Sequence, residues 1–167
     1  TADKVRQGVQ QAAAGGYSVD NSLRFNDDDS AYLSWTPSSA GNRKTWTWSG
    51  WVKRGNITLG GINHQTLFSS GTSNAQIRWS STADRIDIIL GGGFALYAKA
   101  VQRDCSSWYH IIVSFDTTQA TNTDRVKIYF NGELADRTWT NHPSQNTNWG
   151  INNTEVHNLS RSAYDSN

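Results

Sequence analysis

The sequence predicts an all-β fold of short antiparallel strands, arranged as a sandwich or a closed barrel, on three observations. Ser, Thr and Asn make up 50 of the 167 residues, and charged residues are scarce at 17%, against about 25% in ordinary globular chains. Eight Trp and six Tyr accompany them, and aromatic and hydroxyl side chains suit half-buried strands and their turns. From Tyr17 onward apolar residues recur in strand-like segments separated by turn residues. This length suits a single domain.

The first 16 residues differ from the rest of the chain. Val5, Val9, Ala12 and Ala13 lie at helical spacing among polar residues, and two glycines follow. This pattern predicts a short amphipathic helix that ends at the glycines. Since an isolated helix of this length is marginal in water, we expect either a docked assembly anchor or a flexible tail. We therefore divide the chain into a helical tether, residues 1–16, and a globular domain beyond it.

The strands of the globular domain follow in order. Turn residues separate the predicted strands at 22–25, 32–35, 45–54, 66–70, 75–80, 84–90, 94–100 and 108–115, and a hairpin at 125–134. The segment 108–115 is apolar on both faces, which predicts a central strand covered on both sides. In the hairpin, Asn131 and Gly132 are suited to the two positive-φ positions of a type I′ turn.

Six segments, taken in order, resemble the strands of a laminin G-like domain of the concanavalin A-like lectin/glucanase superfamily: 22–35, 45–55, 66–71, 108–118, 125–134 and 157–161. The resemblance implies an antiparallel two-sheet jelly-roll sandwich. The amino-acid sequence most resembles that of laminin G-like proteins of marine bacteriophages. The resemblance is carried by the segments YSVDNSLRFN (17–26), NRKTWTWSGWVKR (42–54) and PSQNT (143–147). This closer resemblance implies a domain displayed on a phage particle.

The chain departs from the family after the segment 157–161. Family members continue into a further strand that begins Phe-Asp-Gly-Tyr, whereas this sequence stops at Asn167. A sandwich without that strand would leave backbone groups of its neighbours unpaired. We therefore expect the domain over 17–167 to lack its final strand, which either a longer protein or another chain supplies.

The carboxylates argue against an enzyme. Glycosidases of the superfamily need two carboxylates on either side of the scissile bond, about 5–5.5 Å apart in retaining enzymes. The chain has only two Glu, Glu133 and Glu155, in unrelated contexts. Asp84 and Asp87 are three residues apart, so on a strand they point to opposite faces. We expect no catalytic residues.

Metal and cofactor sites are equally poorly supported. Asp27, Asp28 and Asp29 form the only acidic cluster, which is a weak calcium candidate or simply an Asp-rich turn. The four histidines show no ligand spacing, and we expect His110 in the core. The single cysteine excludes an internal disulfide. We expect no cofactor.

The tryptophans supply the candidate binding residues. Trp48, Trp51, Trp79 and Trp108 lie within strand patterns, and we expect them in the core. The other candidates, Trp35, Trp139 and Trp149, lie near strand ends or in Asn- and Thr-rich loops. There an indole can stack on a sugar, contact another subunit or complete the core.

Three functions follow from these observations. The first is a non-enzymatic virion structural or attachment protein, on a capsid or tail surface, that is homo-oligomeric, contacts other virion proteins and binds a surface glycan. The second is a carbohydrate-binding module of a secreted, extracellular bacterial protein. The third, an enzyme, is disfavoured. A net charge of +1 with scattered basic residues gives no expectation of nucleic acid binding, and no apolar run predicts membrane insertion.

Overall fold

A computed structural model describes residues 21–26, 29–57, 64–71, 75–91 and 93–162 of the protein. These ranges contain eleven strands and one short 3-10 helix, Asn122–Asp124. The all-β prediction is confirmed, whereas the predicted helical tether, with Val5, Val9, Ala12 and Ala13, lies outside the described residues. The strands are β1 (Leu33–Trp35), β2 (Thr45–Val52), β3 (Gln65–Ser70), β4 (Ala75–Trp79), β5 (Ile86–Leu90), β6 (Gly93–Ala98), β7 (Tyr109–Asp116), β8 (Val126–Phe130), β9 (Glu133–Leu134), β10 (Arg137–Trp139) and β11 (His157–Leu159).

The strands form two antiparallel sheets. The larger sheet has seven strands in the order β1-β11-β3-β4-β5-β6-β10, and the smaller has four in the order β2-β7-β8-β9. Apolar side chains from the facing sides of both sheets form one buried cluster. This arrangement is the two-sheet sandwich that the sequence predicts.

The core lies between the two sheets. The larger sheet contributes Ile77, Ile88 and Leu96, each at most 1% exposed. The smaller sheet contributes Val113, Phe115 and Ile128 among others. Trp46 stacks on Phe115 with ring centroids 4.6 Å apart, which joins β2 to β7 within the core.

The burial pattern of β2 shows which face of the small sheet meets the core and which faces solvent. Its burial alternates, with Trp46 buried and the odd-numbered residues exposed. Trp48 and Trp51 are three residues apart, so they face opposite sides of the sheet. Trp48 packs against the core, while Trp51 is 61% exposed.

Several core assignments from the sequence are wrong. Trp51 and Trp108 are exposed, and His110 lies on the outer face of β7, where it stacks on Trp51 with centroids 4.9 Å apart. Strand β7 is central in its sheet, yet its burial alternates, so it is not covered on both faces. Only the prediction for Trp79, 3% exposed, is confirmed in full.

The turns and the remaining strands follow the sequence closely. Asn131 and Gly132 have φ angles of 50° and 88°, as a type I′ turn requires. Residues 22–25 form no strand, and Leu23 is 62% exposed. Strand β10, which the sequence did not predict, closes one side of the larger sheet.

No helix in the described ranges has the length and apolar character that crossing a membrane would require.

Candidate functional site

A cleft of about 180 Å³ lies beside the end of β5. It combines an indole and an imidazole with hydroxyl and amide side chains; its lining residues are Leu90, Asn141, His142, Pro143, Ser144, Thr147 and Trp149. All except Leu90 come from one segment after β10, which we call the cleft loop (residues 140–150). The accessible lining of the cleft is more polar than apolar, which distinguishes it from the mostly apolar lining of a typical small-molecule pocket.

Two buried side chains hold the cleft loop in place. Arg125 is 8% exposed and donates through Nη1 to the carbonyl oxygen of Pro143 at 2.7 Å. Thr117 is fully buried, and its hydroxyl donates to the carbonyl oxygen of Thr147 at 2.9 Å. The backbone of Thr117 also accepts from the N–H of Asn146 at 2.9 Å. The loop is therefore anchored at three points to the end of β7 and the start of β8.

Trp149 packs closely against the turn that follows β5. Gly91 has a φ of +64° there, and a Cβ atom at that position would lie 2.8 Å from Cζ3 of Trp149. Arg43 donates through Nε to the carbonyl oxygen of Trp149 at 2.6 Å. Gly91 therefore suits this position for two reasons: it adopts a left-handed backbone without strain, and it has no side chain that would collide with the indole of Trp149.

Trp139 reaches the cleft indirectly. It lies on β10 and stacks on His142, with ring centroids 4.3 Å apart and planes 27° apart. His142 itself lines the cleft. Nδ1 of His142 and Nε1 of Trp149 are buried without a hydrogen-bond partner among the described residues. Two of the three predicted tryptophans, Trp139 and Trp149, therefore belong to one region.

Trp35 belongs to a different part of the molecule. It lies on β1, while Trp139 lies on β10, and these are the two outer strands of the seven-stranded sheet. Six strand spacings of about 4.8 Å put them roughly 29 Å apart. Trp35 is 45% exposed and stacks on His157 with centroids 5.3 Å apart. It shields the side of the core and does not contribute to the cleft.

The acidic cluster falls largely outside the described residues, which include only Asp29 of the three. Asp29 accepts a hydrogen bond from the amide of Asn26 at 2.7 Å, as in a turn. Across the described ranges, no group of three or more His, Cys, Asp or Glu side chains could hold a metal ion.

The buried carboxylates are engaged by arginines. Asp84 is fully buried and lies 3.1 Å from Nη1 of Arg54 and 3.2 Å from Nε of Arg103. Asp87, on the outer face of β5, accepts from Nε of Arg85 at 3.3 Å, and burial raises the pKa of its carboxyl group despite this partner. None of the residues that line the cleft carries a carboxyl group.

In the sequence, Ser144 and Thr147 stand out only as part of the resemblance segment 143–147, and no pattern singles out Asn141 and His142 or the anchoring side chains of Thr117 and Arg125. Asn141 and His142 lie in an Asn- and Thr-rich stretch without a motif, and the sequence predicts Arg125 only as a strand residue of the hairpin. In the structure, Arg125 donates to the carbonyl oxygens of Gln119, Ala120 and Pro143. Because the bond to Pro143 spans 18 residues of chain, a local pattern carries no signal for it.

A comparison with protein families identifies residues 27–162 as matching the laminin G-like family of the concanavalin A-like lectin/glucanases superfamily. A search of curated proteins found no match. The family match covers all eleven described strands.

Proposed function

The chain belongs to the concanavalin A-like lectin/glucanases superfamily, and we propose that it is a non-catalytic glycan-binding domain whose cleft holds one sugar unit against Trp149. The observation that carries this proposal is the cleft itself, which places an indole beside hydroxyl and amide groups. At about 180 Å³ it is smaller than the roughly 300–1,000 Å³ of pockets for drug-sized ligands. It suits a single small polar unit of a larger chain.

The chemistry of the lining matches that of a sugar ring. A pyranose has an apolar C–H face, which stacks on an aromatic ring, and hydroxyl groups at its rim. Trp149 and His142 offer aromatic surface, and the side chains of Asn141, Ser144 and Thr147 donate and accept hydrogen bonds. The anchored backbone of the cleft loop holds these groups in position before binding, which lowers the entropic cost of association.

The arrangement of the acidic residues supports a binding role without catalysis. Glycoside hydrolysis requires a carboxylic acid and a carboxylate at the bond that is cleaved. The cleft lining contains neither, and Asp84 is held between Arg54 and Arg103. Glu133 lies on β9 of the small sheet, and Glu155 precedes β11 of the large sheet. We expect no release of reducing ends from laminarin or agar.

The proposed setting of this domain is the surface of a phage particle, where it contributes to attachment to the host. The likeness of segments 17–26, 42–54 and 143–147 to laminin G-like proteins of marine bacteriophages supports this setting. The alternative setting is a secreted bacterial protein that carries the domain as a carbohydrate-binding module. A capsid, portal or tail gene beside the coding sequence would favour the phage setting, and its absence there would favour the alternative.

The glycan site is tested by a glycan array, followed by calorimetric titration with the best-bound glycan. We expect Trp149→Ala to weaken binding at least fivefold, which corresponds to about 1 kcal/mol or more of lost stacking. Trp139→Ala should weaken binding by a similar factor, because His142 loses the ring that it stacks on.

Trp108→Ala is the matched control for both variants. Trp108 is 48% exposed and lies just before β7 of the other sheet, so its removal should leave glycan affinity unchanged. Normal affinity in folded Trp149→Ala and Trp139→Ala proteins would refute this location of the site.

A further inference from the structure

The imidazole ring of His157 on β11 is buried and hydrogen-bonded through both nitrogens. His157 is 1% exposed, and its ring packs against Trp35 of β1 and Phe68 of β3, with centroids 5.3 Å and 5.9 Å away. Nε2 accepts a hydrogen bond from the backbone N–H of Asn152 at 3.1 Å, and Nδ1 donates to the carbonyl oxygen of Glu155 at 2.8 Å. A backbone N–H can only donate and a carbonyl oxygen can only accept. The two bonds therefore require a neutral ring that carries its proton on Nδ1, and this ring holds the turn at residues 151–155, which we call the Asn152 turn.

The charged side chains near His157 are engaged elsewhere. Strands β1 and β3 carry no charged residue. On β11 and the segments beside it, Glu155 accepts from Nδ2 of Asn153 at 2.8 Å, and Arg161 lies over the ring of Tyr32. Within the described part of the chain, no carboxylate forms an ion pair with His157. Because an unpaired charge is costly in a buried position, a positive charge on this ring favours rearrangement of the Asn152 turn.

The Asn152 turn is connected to Trp149 through the loop before β2. Nδ2 of Asn152 donates to the carbonyl oxygen of Asn42 at 2.9 Å, and the carbonyl oxygen of Asn152 accepts from the N–H of Gly41 at 2.8 Å. The next residue, Arg43, donates through Nε to the carbonyl oxygen of Trp149 at 2.6 Å, and its own carbonyl oxygen accepts from the N–H of Trp149 at 3.4 Å. Residues 41–43 therefore join the turn that His157 holds to the residue that carries the indole of the cleft.

We propose that His157 is a positioning residue for the cleft and makes it sensitive to acid, because the neutral ring holds the Asn152 turn and protonation of Nε2 releases it. This inference rests on the proposed glycan site. When Nε2 takes up a proton from solvent, it can no longer accept from Asn152, and two N–H groups then face each other. Histidine is the side chain that ordinarily changes its charge between pH 5 and 8. Release of the turn loosens residues 41–43 and, through Arg43, Trp149, so glycan affinity falls as the pH decreases through this range.

The link between His157 and the cleft is tested first without a glycan, by NMR titration of the full chain from pH 8 to pH 5. We expect the backbone amide signals of Asn152 and Trp149 to shift with the same midpoint as the ring signals of His157. His142→Gln should keep this joint shift, because the connection runs through residues 41–43 and not through the cleft lining. A His157 ring that stays neutral to pH 5, or one that titrates while the amide of Trp149 does not move, would overturn the proposal.

Calorimetric titration with the best-bound glycan at pH 7.5 and pH 5.5 tests the consequence for binding. We expect the affinity of the unmodified protein to be about fivefold lower at pH 5.5, as for the loss of roughly one hydrogen bond. His157→Gln should bind equally at both pH values, because a glutamine amide can accept from Asn152 and donate to Glu155 but takes up no proton.

His110→Gln is the matched control, since His110 lies on the outer face of β7 beside Ser49 and Trp51; it should keep the decrease of the unmodified protein. Circular dichroism establishes that each variant is folded, and if His157→Gln does not fold, the NMR titration of the unmodified protein decides the proposal. An affinity that does not change with pH, a decrease that persists in His157→Gln, or one that disappears in His142→Gln would each refute this role of His157. A protein that binds no glycan at either pH would refute the proposed function alone, because the joint NMR shift requires no ligand.

Discussion

Asp87 is a buried carboxylate whose titration should be visible in the stability of the whole domain. It is 1% exposed, and its partner Arg85 lies over the ring of Tyr97, 3.6 Å from the centroid. Burial raises the pKa of Asp87 above its usual 3.8, and the hydrogen bond from Arg85 offsets only part of that shift. Between pH 3.8 and the raised pKa, the folded protein therefore binds a proton that the unfolded chain has released.

It follows that the contribution of Asp87 to stability is greatest below pH 3.8 and falls as pH rises through the raised pKa. We expect the unfolding free energy of the wild type, relative to Asp87→Asn, to decrease between pH 3.5 and pH 7. Urea denaturation of both proteins at several pH values measures this difference. Asp136→Asn is the control, because the side chain of Asp136 is 89% exposed. A difference that is constant or rises with pH would contradict the assignment.

At the same scale, the tryptophans show that a sequence pattern does not determine which side chains are buried. Period two indicates that a strand has two faces, but not which face meets the core. Because Trp48 and Trp51 are three residues apart, they lie on opposite faces of β2. Trp46 is buried two residues before Trp48, so Trp48 is on the core face and Trp51 on the outer face. That burial depends on contact with Phe115 of β7, which is remote in sequence. His110 was misplaced for the same reason.

At the scale of elements, the cleft loop depends on a single guanidinium group. Arg125 donates to the carbonyl oxygens of Gln119 and Ala120, both at 2.9 Å, and of Pro143 at 2.7 Å. A lysine keeps the charge but cannot reproduce this planar fork. We expect Arg125→Lys to lower the unfolding free energy by about 2–3 kcal/mol, since hydrogen bonds to a charged group are lost and buried carbonyls lose partners. It should also weaken glycan binding.

Urea denaturation and glycan titration together test this role. Arg137→Lys is the comparison, because Nη2 of Arg137 donates to the carbonyl oxygen of Thr123 at 3.1 Å in an exposed position. Its substitution should therefore lower the unfolding free energy less than Arg125→Lys does. Unchanged stability and affinity in Arg125→Lys would mean that the cleft loop holds its shape without the fork.

Elements with local determinants were predictable, and those with remote determinants were not. The Asn131–Gly132 turn fixes its hairpin within two residues, and β2 to β8 follow segments with clear strand patterns. Strand β10 is three residues long and depends on pairing with β6. The candidate tryptophans Trp139 and Trp149 were selected because they lie near polar loops. Their shared location depends on contacts with His142 and on the anchoring of the cleft loop by Arg125, which no local pattern connects.

At the scale of the whole molecule, one assembly element is predicted from the sequence. Residues 1–16 are the proposed anchor, suggested by Val5, Val9, Ala12 and Ala13. All described strands lie between Leu33 and Leu159, and so does the core cluster. If this anchor brings several copies together, each copy presents one cleft, and several weak sites on one assembly gain affinity through effective concentration.

Deleting residues 1–16 tests the proposed anchor. We expect the truncated protein to keep its fold, with a change in unfolding free energy below about 1 kcal/mol, because the described strands and the described core cluster are formed by residues after Tyr32. It should be a monomer in sedimentation equilibrium where the full chain is an oligomer, and it should no longer join the phage particle on which this domain is proposed to lie. A truncated protein that assembles like the full chain, or a full chain that is itself a monomer, would refute the anchor.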